Sequence, residues 1–260
     1  EEALLWHCRP DYPGQEKMNL ICQAVDDMPC LKTKNLSDYN TCNLTKSIRR
    51  QSREAPNNSA YKRLEGVFID TWGPCKQPSI RGRRSMLVII DEYSRMSWVY
   101  FITYKSDVAE KILDWKKKAE LGSGEKLIKI RSDKAPEFKR IVETMRIIYE
   151  ITTADTPEQN AKAERLNRLL ATKARSILAG AALPKRLWAE AMGTACYLRK
   201  IIPSIDRKNP PQEIWNCQRP NIEDLKVFGY VANVHVDKIN RDKLELNAKS
   251  IIFVGYRRKN

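Results

Sequence analysis

Gly66-Val67-Phe68-Ile69-Asp70-Thr71-Trp72-Gly73-Pro74 runs three apolar residues into an aspartate and then closes with a turn pair. Residues of this kind, bounded by glycine and proline, predict a short strand that ends at Asp70. A second segment repeats the plan. Leu127-Ile128-Lys129-Ile130-Arg131-Ser132 leads to Asp133, and Lys134-Ala135-Pro136-Glu137-Phe138 follows. A third carboxylate arrives on a different kind of backbone. Thr156-Pro157 reads as loop, because proline biases the residue before it away from helical angles. From about Asn160 the pattern turns helical, with Ala163, Leu166, Leu169, Leu170, Ala174, Ile177 and Leu178 recurring at spacings of three and four. Asn160 is the expected N-cap, since its side-chain oxygen can accept an orphan N–H of the first turn. Glu164 then lies about one turn in, and Lys162, Arg165, Arg168, Lys173 and Arg175 surround it with positive charge. A carboxylate in basic surroundings suits a metal ion that must meet phosphate, and these five residues are the expected DNA contacts. By spacing alone, a solvated amphipathic helix accounts for the same pattern.

Bulk composition narrows the class. The 260 residues leave room for one sizeable core with smaller attachments, and 42% are hydrophobic. No apolar run approaches bilayer length and no signal peptide precedes the first structured segment, so no membrane partner is expected. The chain begins at Glu1 without an initiator methionine, which predicts a fragment or processed piece. Lys and Arg number 47 against 32 Asp and Glu, a formal charge of +15 that points to a polyanion, most simply nucleic acid. Seven irregularly spaced cysteines do not form a disulfide framework and fit a reducing intracellular compartment.

Around the two aspartate segments, Met86 to Ile90 and Ser97 to Tyr104 read as strands, and Asp107 to Leu121 as a helix closed by Gly122-Ser123-Gly124. Phe138 to Ile148 reads as a helix, Tyr149 to Thr153 as a short strand, and Pro184 to Ile202 as a long apolar helix. Hairpin-like strands followed by alternating helices and strands predict an α/β sheet flanked by helices. The expected division is a small helical module over 1–50, a linker over 51–62, a core over 63–215 and a basic β module over 216–260. In the last of these, Val227 to Val236 and Ile251 to Tyr256 read as strands. His235 is expected to be structural, and Asp107 and Asp155 to be cap or loop residues.

Taken together, Ile69 to Pro74, Ile89 to Arg95, Ser97 to Tyr100, Arg131 to Phe138, Thr156 to Arg168, Leu183 to Glu190, Val227-Phe228-Gly229 and Ile252 to Tyr256 resemble the integrase of copia-type LTR retrotransposons, within the retroviral-type integrase and DDE transposase group. The resemblance spans nearly the whole chain. It implies a ribonuclease-H-like fold, with Asp70, Asp133 and Glu164 as catalytic residues and as ligands of Mg2+ or Mn2+. Oxygen ligands of this kind suit hard divalent cations, and a pair of such ions assists in-line phosphoryl displacement. The nucleophile would be water in end trimming and a DNA 3′-hydroxyl in strand transfer. Double-stranded DNA (element ends and target), further copies of the chain and the other Pol segments are the implied partners, with assembly in the cytoplasm and action in the nucleus. Glu137 and Asn160 are implied to support the site, and Asp91 to be structural.

Several positions depart from the family pattern. Lys134, Ala135-Pro136 and Ala161 replace the usual asparagine and glycine positions, and 30 residues separate Asp133 from Glu164, a few fewer than usual. Of the family's zinc ligands only His7 and Cys42 remain, with Tyr12 and Tyr39 at the other two positions, so zinc is not expected. A DNA-binding remnant without catalysis and a nuclease that hydrolyses without joining are the alternatives these changes leave open.

Overall fold

The computed structural model describes residues 8–10, 15–24, 60–133, 136–151, 157–205, 207–237 and 246–256. A short helix, α1 (Gln15–Ala24), precedes β1 (Val67–Trp72), β2 (Ser85–Asp91) and β3 (Ser97–Ile102). Helix α2 (Asp107–Ser123), β4 (Lys129–Ser132), α3 (Pro136–Met145) and β5 (Ile148–Ile151) follow. Next come α4 (Pro157–Gly180), α5 (Trp188–Ile201), the short α6 (Pro211–Asn216), and the pair β6 (Val231–His235) and β7 (Ala248–Ile252). Among the described residues no helix is long and apolar enough to cross a membrane.

The first five strands form one sheet in the order β3-β2-β1-β4-β5. Strands β1 to β3 meander antiparallel, while β4 lies parallel to β1 and β5 parallel to β4. This mixed sheet flanked by helices is the ribonuclease-H-like arrangement that the resemblance implies. Alternation along the strands divides the core. Phe68, Met86, Val88, Ile90 and Val99 face α4 and α5, where Ala163, Leu166, Leu170, Ala174, Ala191 and Ala195 lie buried. Val67, Ile69, Leu87, Ile89 and Ile102 face α2 and α3, against Ile112, Trp115, Phe138 and Ile141. A third cluster joins Met18 and Ile21 of α1 to Leu198 and Ile201 of α5, with Ile222 and Leu225. Tyr256 stacks on Tyr197 of α5, ring centroids 4.2 Å apart, so both ends of the described chain pack against α5.

Most boundaries shift by a few residues from expectation, β7 for example running Ala248–Ile252 in place of Ile251 to Tyr256, and three of the shifts have identifiable reasons. Asp70 lies inside β1 rather than at its end, because Thr71 and Trp72 continue the ladder opposite Leu87 and Met86. Helix α4 begins at Pro157, a residue whose missing N–H is harmless in a first turn, so Asn160 is an early helical residue and not the N-cap. The apolar segment from Pro184 opens as a 3₁₀ turn (Lys185–Leu187) before α5.

The β2–β3 connection rests on Asp91. Its carboxylate is wholly buried and accepts the Leu64 N–H at 2.8 Å, the Ser94 N–H at 2.7 Å and the Ser94 hydroxyl at 2.6 Å. Asp91 is therefore structural, as expected. Replacing it by alanine leaves two buried N–H groups without acceptors, each worth about 1–3 kcal/mol. Asp91→Ala is expected to lower unfolding free energy by about 2–4 kcal/mol in urea titrations and Ser94→Ala by about 1 kcal/mol. An Asp91→Ala loss below that of Ser94→Ala would contradict this account.

Candidate active site

Parallel pairing of β1 and β4, with Phe68 opposite Arg131, sends both strands towards the same edge of the sheet. Ligand sites in α/β sheets form beyond the carboxyl ends of such strands. Asp70 is two residues past Phe68 and so projects to the α4 face of the sheet, while Asp133 directly follows the end of β4 at the same edge. Glu164 comes from the second turn of α4, which packs on that face. Asp70 thus lies in the electrostatic field of both Asp133 and Glu164.

Asp70 is the buried member, only 9% exposed. One carboxylate oxygen accepts the Thr71 N–H at 2.8 Å and the other the Asn167 side-chain amide at 2.7 Å. Burial pushes its pKa up to about 6; the charges of Asp133 and Glu164 push the same way, against the Thr71 and Asn167 hydrogen bonds. Asp133 is exposed just past β4, and its backbone carbonyl is fixed by the Ser132 hydroxyl at 2.9 Å and the Tyr149 hydroxyl at 3.2 Å. Glu164 is exposed on α4. Asn167 follows one turn later, where residues three apart share a helix face. That spacing was the available sequence signal for Asn167, and sequence reasoning passed over it.

Asp70, Thr71, Trp72, Glu164, Asn167, Arg168 and Arg175 line a cleft of about 720 Å³, together with the Gly73-Pro74-Cys75 turn. Gly73 is required in its wall, since φ is +118° and an added Cβ would lie 2.9 Å from the Arg84 carbonyl oxygen. Of the five predicted basic contacts, Arg168 and Arg175 line this cleft. Arg165 is exposed on α4 and Lys173 is half-buried there. Lys162 is only partly exposed: its ammonium is 2.6 Å from Glu92 and stands over the Phe68 ring. The side chains of Glu137 and Asn160, and the zinc remnants His7 and Cys42, lie outside the described residues.

Among the described residues, no group of three or more His, Cys, Asp or Glu side chains stands close enough to hold a metal ion as placed. The chemistry of the donors nevertheless fits a hard divalent cation. Asp70 and Glu164 line one cleft and offer hard oxygen donors, Asp133 acts on Asp70 through its charge, and the Asn167 side-chain oxygen beside Asp70 is buried without a hydrogen-bond partner.

No family model matches the chain. It is 31% identical over 258 residues to the retrovirus-related Pol polyprotein from transposon TNT 1-94 of Nicotiana tabacum, covering 97% of this chain and 19% of that protein. It is 28% identical over 259 residues to the corresponding polyprotein from transposon RE2 of Arabidopsis thaliana, covering 96% of this chain and 17% of that one. The chain spans about a fifth of the length of these curated relatives. A chain in the simian T-cell lymphotropic virus intasome, solved with a PP2A regulatory subunit, shares the fold: TM-score 0.50 at 14% identity, over 78% of this chain and 72% of that one. Continuous similarity to both polyproteins over nearly the whole chain relates it to one segment of the retrovirus-related Pol polyproteins of plant transposons, and its sheet order gives that segment the ribonuclease-H-like fold.

Proposed function

We propose that this segment is the integrase of its Pol polyprotein, trimming the ends of element DNA and joining them to chromosomal DNA. What supports the reading is a cleft lined by Asp70, Glu164, Arg168 and Arg175, with the charge of Asp133 acting on Asp70. Mg2+ or Mn2+ held by the three carboxylates would supply activation of a water or DNA 3′-hydroxyl and charge neutralisation at the leaving oxygen. Asp70 would serve such an ion as the carboxylate, and Asn167 fixes the orientation of that carboxyl group through the 2.7 Å hydrogen bond. Arg168 and Arg175 offer guanidinium groups to the phosphate backbone, a contact that weakens steeply with salt. Element ends, target DNA, further copies of the chain and other Pol segments are the proposed partners, and the nucleus the proposed place of action.

A binding-only reading draws support from the open spacing of the carboxylates. A strand-transfer assay separates the two. In Mg2+ or Mn2+, a labelled duplex is expected to be cut and joined by the wild-type chain, while Asp133→Asn loses at least a hundredfold in joining and keeps its DNA affinity within about threefold. Joining that survives Asp133→Asn sinks the assignment, and cutting without joining supports a nuclease.

The raised pKa of Asp70 also has a signature in stability. Without metal, the folded state keeps the Asp70 proton between about pH 4 and the folded value of about 6, where the unfolded chain has already released it. Stability contributed by this group is therefore present below about pH 4 and is lost as pH rises towards 6 and beyond. Urea titrations in a chelator should give a wild-type stability that falls by about 2–3 kcal/mol relative to Asp70→Asn between pH 4 and 7. A pH-independent difference would contradict the placement.

A further inference from the structure

One pleat below the carboxylates, a row of charged side chains crosses the same face of the sheet. Glu92, just past β2, is 2% exposed and splits its carboxylate between two cations. Arg131 Nη1 on β4 donates to Oε2 at 2.5 Å, and Lys162 Nζ on α4 donates to Oε1 at 2.6 Å. Both cations also stand over the Phe68 ring of β1, at 5.4 Å and 4.9 Å from its centroid. Arg131 Nε reaches Glu150 on β5 at 2.5 Å. Each of the two cations bonded to Glu92 lies two residues before a carboxylate of the site: Arg131 before Asp133, Lys162 before Glu164. On the strand, that spacing puts the pair on one face; on the helix it puts them on opposite flanks. The Lys162 flank is therefore pinned to the sheet while Glu164 lines the cleft.

We infer that Glu92 is a positioning residue that fixes where Asp133 and Glu164 stand relative to each other, by clamping β4 and the early turns of α4 through Arg131 and Lys162. The inference rests on the metal-dependent reading of the site. Gly66 belongs to the device: its N-terminal neighbourhood holds the Glu92 backbone, through the Glu92 N–H bond to the Gly66 carbonyl at 2.9 Å. A Cβ at Gly66 would lie 2.7 Å from Glu92 Oε2, with its next contact at 3.7 Å. Only the tip of a flexible side chain has to move, so Gly66→Ala displaces the clamp without removing a charge.

The test is Mn2+ titration of the metal-free chain by calorimetry and electron paramagnetic resonance, with strand transfer measured in parallel. Glu92→Gln and Gly66→Ala, both folded by circular dichroism, are expected to bind Mn2+ at least tenfold more weakly and to join DNA at least tenfold more slowly, with the KM for DNA within about twofold. Glu120→Gln loses a 3.0 Å ion pair with Lys116 on α2, across the sheet from the site, and is expected to leave Mn2+ binding unchanged. Wild-type Mn2+ affinity in folded Gly66→Ala overturns the inference, as does an equal loss in Glu120→Gln. A wild-type chain whose Mn2+ binding requires Asp133 and Glu164, but which joins no DNA, overturns the integrase reading while the titration still decides the clamp. Absence of such Mn2+ binding in the wild type overturns both.

Discussion

The site depends above all on the parallel pairing of β1 with β4. Val67 lies opposite Ile130 and Phe68 opposite Arg131, which fixes both the direction and the register of the two strands that carry the aspartates. An antiparallel β4 would send Asp133 to the far edge of the sheet. A one-residue slip would turn it to the α2 face, because side chains alternate with a period of two. Parallel neighbours need a crossover between them, and here α2 supplies it against the face opposite the site. The apolar core is thereby linked to the chemistry: residues 67 and 69 bind α2 and α3, while residues 68 and 70 look towards α4.

Like charge brought together in this way has to be offset, and the molecule does so in two layers. In the lower layer every carboxylate is paired, with Glu92 and Glu150 set against Arg131, Lys162 and Lys129. The paired ions there are mostly withdrawn from water, a setting in which the loss of one partner is felt strongly by the other. In the upper layer the charges are incomplete. Asp70 has only hydrogen bonds from Thr71 and Asn167 to set against burial and two neighbouring carboxylates, and its pKa rises to about 6.

Much of this was legible in the sequence. The two aspartate segments, the helical period through Glu164 and the motifs linking them identified the fold, and Asp91 was read as structural. The errors have physical causes. The apolar run stops at Asp70 and a Gly-Pro turn follows, which predicts a strand end there, whereas Thr71 and Trp72 keep pairing with β2. In the sequence Lys162 is one of five basic residues around Glu164, with nothing to mark its ion pair. Its partner Glu92 is 70 residues away and meets it only through the strand register. Asn167 was hidden for the same reason, since its link to Asp70 spans 97 residues. Single-sequence periodicity reports which way a side chain points, not what stands opposite.

The central claim is that Asp70, Asp133 and Glu164 together form a divalent-cation site. Anomalous diffraction from crystals of the chain grown with Mn2+ tests it most directly. The account predicts a manganese peak bounded by carboxylate oxygens of all three residues, at about 2.0–2.3 Å from its ligands. A fully occupied peak elsewhere, or none at saturating Mn2+, would contradict it.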